Sequence, residues 1–491
     1  MPVPHQGYSD QPTTADELGF APSAEALLSI LSGTELADTP LTIGIFGPWG
    51  SGKTSLMRML HERMDPANPI APCLPIWFEA WRYAQSDALW RALLLSIVEE
   101  LRRSLVEDEA RLQAIMASTD EDANEEPSIE AVKSAATKLN HELDDLVASL
   151  YRNVEREEAG ELEFDWPVAG KLATRLVVRA SFAFLPVLAP LTKLVEAAQG
   201  KISEGENMAE IWDLFQRRRT LIYRDQVRSL DQFQMRLRSL VEQWIAGRGR
   251  RLVIFIDDLD RCLPEQAIGV LEAIKVFLDI HGCVFVLGVD REIIEHGIRV
   301  RYKEFALDAD AAARADHAAA VFPVAGRDYM EKIVQVPFEL PPLERDAIRR
   351  FLNTRLRGMD ELEEVAASQV ATVMTTGLLP NPRKVKRTFN TFRLQLALDQ
   401  AQANPASPAL IAKLVVIQSS FPSVYEHIVG SPPVLRELEK RARDLGGDVP
   451  EVLKQATNDL PLLNDMLFES PFFAQLPDEQ LSNLVFRTRT T

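Results

Sequence analysis

The chain has 491 residues, 46% of them hydrophobic and 26% charged; these proportions exclude a wholly disordered or collagen-like protein and predict roughly two to four domains of about 100–200 residues each. Lys and Arg number 54 against 72 Asp and Glu, a net charge of −18 that repels phosphodiester backbones unless basic residues cluster locally, so nucleic acid is not an expected partner. The three cysteines, Cys73, Cys262 and Cys283, are far apart, which excludes a disulfide framework or zinc knuckle, and with no basic-then-apolar leader at the N-terminus a cytoplasmic location is expected.

The first apolar run, Leu41 to Gly47 (LTIGIFG), ends in a glycine-rich turn, and from Thr54 (TSLMRML) the apolar residues take helical spacing. That order is strand, loop, helix. Further strands are predicted over Leu74–Trp81 (LPIWFEAW), Leu252–Ile256, Cys283–Val289 (CVFVLGV) and Ile333–Phe338 (IVQVPF). Near-continuous apolar runs of this length suit strands covered on both faces, and their alternation with helical stretches predicts an α/β fold with a parallel sheet. Residues 1–98 and 248–340 are expected to build this sheet domain in two parts.

The second and third strands lie roughly 170 residues apart, more than a crossover helix needs, so a helical insertion is predicted over 99–247. Its first half carries acidic runs such as Glu107-Asp108-Glu109 and Asp120-Glu121-Asp122, read as a solvated helical face with a loop around 118–128, or else as an arm for a protein partner. Its second half holds Ala180–Thr192 (ASFAFLPVLAPLT). A spanning helix needs about 20 apolar residues, and this stretch is shorter and contains two prolines, so packing within the protein is expected, with peripheral membrane contact through 172–198 as the alternative. Glu210–Gly247 is amphipathic, with a capping-box start at Ser229–Gln232, and Ala306–Gly326 is an Ala- and Asp-rich excursion, helical or disordered. After Pro341-Pro342 the pattern is helical throughout. It is divided by polar turns into a lid over 341–400 and a C-terminal tail over 401–491.

Gly47-Pro48-Trp49-Gly50-Ser51-Gly52-Lys53-Thr54 satisfies the phosphate-loop pattern G-x-x-x-x-G-K-[ST] between a predicted strand and helix. Its glycines let the backbone curl so that N–H groups point at phosphate, and the next helix presents its positive end to the same charge. The expected cofactor-binding set is Gly47 through Ser55, with Lys53 reaching the β- and γ-phosphates of ATP and Thr54 offering its hydroxyl to Mg2+. Such a site also needs a carboxylate at the end of a neighbouring buried strand. Asp257 is the expected metal partner, and Asp258 the catalytic acid that polarises the attacking water. Asp290 and Arg291 follow the fourth strand, as γ-phosphate sensors or as a plain strand-ending turn. Arg383, at the start of a lid helix (NPRKVKR), is expected to approach the γ-phosphate, unless that helix start only carries solvated cations. Arg261 has two readings, a contact to a neighbouring subunit's nucleotide or a pair with Asp258 or Asp260. For Trp77, Phe78, Trp81, Tyr83 and Trp90, core packing is expected over partner binding. The basic stretch Arg383–Arg393 is too short to argue for nucleic acid.

These motifs together resemble the KAP family of P-loop NTPases, in the wider STAND-like group. The likeness runs from Asp16-Glu-Leu-Gly-Phe20 through GPWGSGKTSLM, IWFEAWRY, RLVIFIDDLDRC, VLGVDRE and YMEKIVQVPFELPP to NPRKVKR. The reading is an ATPase acting as a switch or assembly device, with slow turnover expected because Asp258 is shorter than the Glu that many such ATPases carry. The resemblance implies that Leu18, Gly19 and Phe20 lie near adenine and that the protein's associations are with signalling or phage defence. It also implies membrane helices in the insertion, from which this chain departs, and it places Glu79 where the family often has Asn. The alternatives are a nucleotide-bound scaffold that recruits a protein partner, and a peripheral membrane organiser.

Overall fold

A computed structural model of the chain describes residues 8–33, 38–64, 73–84, 89–107, 112–113, 116, 128–158, 232–276, 279–301, 326–359, 362–402 and 404–489. The 172–198 stretch, the loop at 118–127, the start of the capping box and most of the Ala- and Asp-rich excursion lie outside the described residues.

In chain order the elements are α1 (Ala21–Gly33), β1 (Leu41–Phe46), α2 (Lys53–Arg63), β2 (Cys73–Glu79), α3 (Leu89–Arg102), α4 (Ile129–Glu158) and α5 (232–244). Next come β3 (Arg251–Asp257), α6 (Pro264–Val276), β4 (Cys283–Val289), α7 (Arg291–Arg301), α8 (Gly326–Ile333) and β5 (Val336–Glu339). The helices α9 (Arg345–Leu356), α10 (Glu364–Gly377), α11 (Pro382–Gln400), α12 (Pro408–Ser420), α13 (Pro422–Gly430), α14 (Val434–Ala442), α15 (Glu451–Asp459), α16 (Pro461–Phe468) and α17 (Asp478–Thr488) complete the chain.

The strands form one parallel sheet in the order β2-β3-β4-β1-β5. All of β4 is buried, as is β3 after its first residue, as strands covered on both faces require. Register aligns their carboxyl ends: Phe46 lies opposite Val289, and Ile256 opposite Leu287. The turns after β1, β3 and β4 therefore open on one edge of the sheet, where ligands of open α/β folds bind. The acid-bearing β3 is not adjacent to β1, however, because β4 lies between them.

Two strand ends differ from expectation. β2 stops at Glu79, whose partner Asp257 is the last residue of β3, and with no ladder beyond it Ala80–Tyr83 wind into a 3-10 turn. The fifth strand begins only at Val336, where pairing with Ile43 starts. Ile333 instead closes α8, where Met330 and Ile333 are buried three residues apart on one face.

By contacts the chain forms two compact units, one of residues 1–90, 249–275 and 281–491, the other of 91–248 and 276–280. In the second, apolar residues at helical spacing are buried along α3 (Leu93, Leu94, Ile97, Leu101) and α4 (Leu139, Leu143, Leu146, Leu150), and Arg102 reaches Asn140 and Asp144. No described helix is long and apolar enough to cross a membrane. In the first unit α12 is the hub. Its sequence, PALIAKLVVIQSS, is apolar on nearly every face, and every residue from Ala409 to Ile417 is buried among the other carboxyl-terminal helices.

Candidate functional site

The segment between β1 and α2 curls because glycine permits it. The Ser51 amide donates to the Pro48 carbonyl (3.1 Å) with Gly50 at φ +80°, the geometry of a type II turn, which needs a positive φ at its third residue. Gly52 precedes α2 at φ +108°, and a Cβ there would lie 2.7 Å from the Phe20 ring. Lys53 opens α2 almost fully buried, its Nζ donating to the carbonyls of Gly47 (2.8 Å) and Pro48 (3.4 Å).

Three carboxylates cluster at the end of β3 and the turn after it. Asp257 is 2% exposed at the end of β3, and burial pushes its carboxyl up to about 6; the charge of Asp258 adds to the rise, and the Thr54 hydroxyl and the Asp258 amide pull it back. Asp258 follows in the left-handed region (φ 57°), which Asp tolerates better than most side chains. Burial raises its pKa too, against the pull of Arg261, whose Nε lies 2.9 Å from its carboxylate. Arg261 thus forms the pair with Asp258. The guanidinium also lies over the rings of Trp49 (5.4 Å) and Trp81 (5.7 Å).

The third acid, Asp260, was not among the expected site residues. Its Oδ2 lies 3.4 Å from Lys53 Nζ and accepts the Asp290 amide at 2.9 Å, so one carboxylate joins the turns after β1, β3 and β4. Its signal was present in Asp-Asp-Leu-Asp, but the fourth residue reaches the lysine only because Leu259–Arg261 form a 3-10 turn. Asp290 accepts the Glu292 amide at the start of α7, and Arg291 lies over Phe46 and pairs with Glu339 (3.0 Å). The aromatic cluster divides: Phe78 is buried and Trp77 stacks on Phe255, whereas Trp81 and Tyr83 are exposed.

The residues before α1 close the cleft from the other side. Leu18 and Phe20 line it together with Trp49, Gly50, Gly52, Lys53, Thr54 and Ser55; Gly19 turns the chain between them at φ +87°. This turn is organised by Asp16, whose carboxylate accepts the amides of Leu18 (3.3 Å), Gly19 (2.7 Å), Phe20 (2.8 Å) and Ala21 (2.8 Å). Burial works to raise its pKa, but the amides of Phe20, Ala21, Gly19 and Leu18 together outweigh it and hold the carboxyl below its usual range. A group with a depressed folded pKa contributes stability above its unfolded pKa of about 3.9, and that contribution is lost as pH falls through the folded value. Asp16→Ala is expected to cost about 1–2 kcal/mol in urea unfolding at pH 7, with the difference from wild type shrinking below about pH 4. A constant difference across that range would show that the carboxylate's charge is irrelevant.

The lid reaches the loop directly. Arg383 lines the cleft, its amide donating to the Gly50 carbonyl (3.3 Å) and its Nε lying 3.8 Å from Asp10. Asp10 also pairs with Arg387 (2.7 Å), and Glu17 pairs with Lys386 (3.1 Å) and with Arg355, so two acids of the amino-terminal segment tie down four cations of α9 and α11.

A model of the KAP family P-loop domain matches residues 20–398. The chain belongs to that family. As a KAP P-loop NTPase it is a nucleotide-binding protein, with the parallel sheet, the interrupting helical segment and the helical carboxyl-terminal part described above. Over 164 residues it is 23% identical to the Phage T7 exclusion protein of Escherichia coli (strain K12), covering 32% of this chain and 20% of that protein. The match thus takes in about a fifth of that relative's length. Among solved structures, the chain is similar to the Aeropyrum pernix ORC2 protein (ADPNP-ADP complexes) at 11% identity and a TM-score of 0.34, over 100% of this chain and 98% of that one. It is also similar to the Aeropyrum pernix ORC1 protein in complex with DNA, at 11% identity and 0.35, over 96% and 83%. Both likenesses are distant.

Proposed function

We propose that this KAP NTPase hydrolyses ATP with Mg2+ and uses the nucleotide cycle to move the lid helices, acting as a switch or assembly ATPase. The observation that carries the reading is Asp260 Oδ2 lying 3.4 Å from Lys53 Nζ, which brings the acidic turn after β3 against the phosphate loop more than 200 residues away in sequence; beside it the Thr54 hydroxyl acts on the Asp257 carboxyl. Thr54 and Asp257 offer hard oxygen ligands, and the carboxylates Asp257, Asp258 and Asp260, with Glu79 near enough to act on Asp258, lie beside the cations Lys53 and Arg261, an excess of negative charge that suits a divalent metal. Among the described residues no group of three or more His, Cys, Asp or Glu forms a metal cage. Magnesium bound by one or two protein oxygens together with phosphates needs none. When bound, the ion supplies charge neutralisation for the β- and γ-phosphate oxygens.

The chain's own residues do the rest. Loop amides and Lys53 hold the phosphates, and Leu18 and Phe20 cover the base. Asp258 accepts a proton from the attacking water while the transferring phosphoryl group is stabilised by Lys53, with Arg383 entering from the lid. The similarity to the phage exclusion protein favours a role in defence against phage over other settings.

Asp258→Asn tests the hydrolytic part. Asn tolerates the left-handed backbone that Asp258 adopts, so the turn keeps its shape while the general base is removed. Steady-state phosphate release is expected to fall about 100-fold or more with ATP affinity by calorimetry within about threefold of wild type. No phosphate release from the wild-type protein, alone or with partners, would instead favour the nucleotide-bound scaffold.

A further inference from the structure

The first turn of an α-helix leaves backbone amides without helical partners, and α11 satisfies its own in an unusual way. Pro382 has no amide. The Lys384 amide donates to the Asn381 side chain (3.1 Å) and the Val385 amide to the Asn381 carbonyl (2.9 Å). The Arg383 amide leaves the helix altogether and donates to Gly50 of the phosphate loop (3.3 Å). Asn381 is likewise shared: while its Oδ1 caps the helix, its Nδ2 donates to the carbonyl of Trp49 at 2.9 Å. Gly50 lies so close beneath that a Cβ there would come within 2.9 Å of Asn381 Oδ1 and 3.0 Å of Arg383 Cβ.

The Trp49 carbonyl belongs to the central peptide of the Pro48–Ser51 turn. That peptide is the unit whose flip interconverts type I and type II turns. Because the peptide is planar and trans, fixing the carbonyl on the lid side fixes the Gly50 N–H on the opposite side. Two successive loop carbonyls, of Trp49 and Gly50, are thus held by the first residues of the lid helix.

We propose that Asn381 is a positioning residue that ties the lid to the phosphate loop, holding the Trp49–Gly50 peptide in the orientation that presents the Gly50 amide to phosphate. The inference rests on the nucleotide-site reading above. Lid movement is then felt at the loop as the freedom of one peptide to flip, and phosphate binding is felt at the lid through the same bond.

Cap and clamp separate by mutation. Asp is as good a helix cap as Asn but has no N–H to donate, so Asn381→Asp keeps the first function and loses the second, whereas Asn381→Ala loses both. The expected result is an unchanged Tm for Asn381→Asp, a lowered Tm for Asn381→Ala, and a Kd for a non-hydrolysable ATP analogue raised about tenfold or more in both. Faster hydrogen exchange of the peptide spanning 47–55 is expected in both variants without nucleotide. If affinity and exchange follow Tm, with Asn381→Asp like wild type, Asn381 is only a cap and the proposal is overturned. If Asn381→Ala binds normally and only Asn381→Asp is weak, charge repulsion explains the loss and the proposal is again overturned. Failure of the nucleotide reading itself looks different: the wild type then binds no analogue, while the exchange measurement still reports on the clamp.

Discussion

Lys53→Ala is expected to raise the Kd for ATP at least about 100-fold by calorimetry. The ammonium group is placed to make charge-assisted hydrogen bonds to two phosphates, each worth about 1.5–3 kcal/mol, and alanine provides neither. The same change removes the donor to the Gly47 carbonyl and the counter-charge of Asp260, which then faces Asp257 and Asp258 with Arg261 as the remaining nearby cation. Some loss of stability therefore accompanies the loss of binding, and Lys53→Gln, which keeps a donor and most of the stem, separates the two effects. Its Tm is expected to lie nearer to wild type, with affinity still reduced because its neutral amide cannot replace the charge. If the defence role holds, phage plating on cells expressing Lys53→Ala matches cells without the protein. ATP affinity equal to wild type in both lysine variants would remove the site from this part of the molecule.

The contrast between what was legible in the sequence and what was not follows from contiguity. The loop from Gly47 to Thr54 and the run ending in Asp257 are short strings whose residue types are dictated by local backbone and local burial, and both hold in the fold. Two links depend instead on how one segment lies against another. Asp260 reaches Lys53 through a 3-10 turn, and Asn381 reaches Trp49 through the docking of a helix more than 300 residues away in sequence. Strand ends failed for the same reason. Trp81 continues the aromatic pattern of β2 and Ile333 the apolar pattern of β5, but a strand lasts only as long as its partner, and β3 ends opposite Glu79. The chemistry of Asp16 was equally hidden, since its tight grip on four amides comes from a turn around Gly19 whose positive φ has no unique sequence signature.

Lys413→Met is expected to cost about 3–5 kcal/mol of stability, a large share of the roughly 5–15 kcal/mol that holds a typical domain folded. Lys413 lies in the middle of α12 at 0% exposure, with its Nζ 3.1 Å from Glu439 of α14 and 3.2 Å from the Leu467 carbonyl of α16. It also lies over the rings of Phe472 and Phe473. Burial lowers the pKa of the lysine and raises that of Glu439, and their mutual attraction opposes both shifts. Glu439 is further fixed by accepting the amides of Phe473 (2.7 Å) and Ala474 (3.4 Å), so the pair ties α12, α14, α16 and the turn before α17 to one point. Removing the lysine alone leaves a carboxylate buried without its counter-charge, the situation in which a buried pair is most costly to break. The neutral combination Lys413→Met with Glu439→Gln has no such charge, and its amide oxygen still accepts from Phe473. It is therefore expected to recover at least half of the loss, as read from urea midpoints of the two single variants and the double variant. Single variants each within about 1 kcal/mol of wild type would mean that water reaches this pair and that the helical hub is held by apolar packing alone.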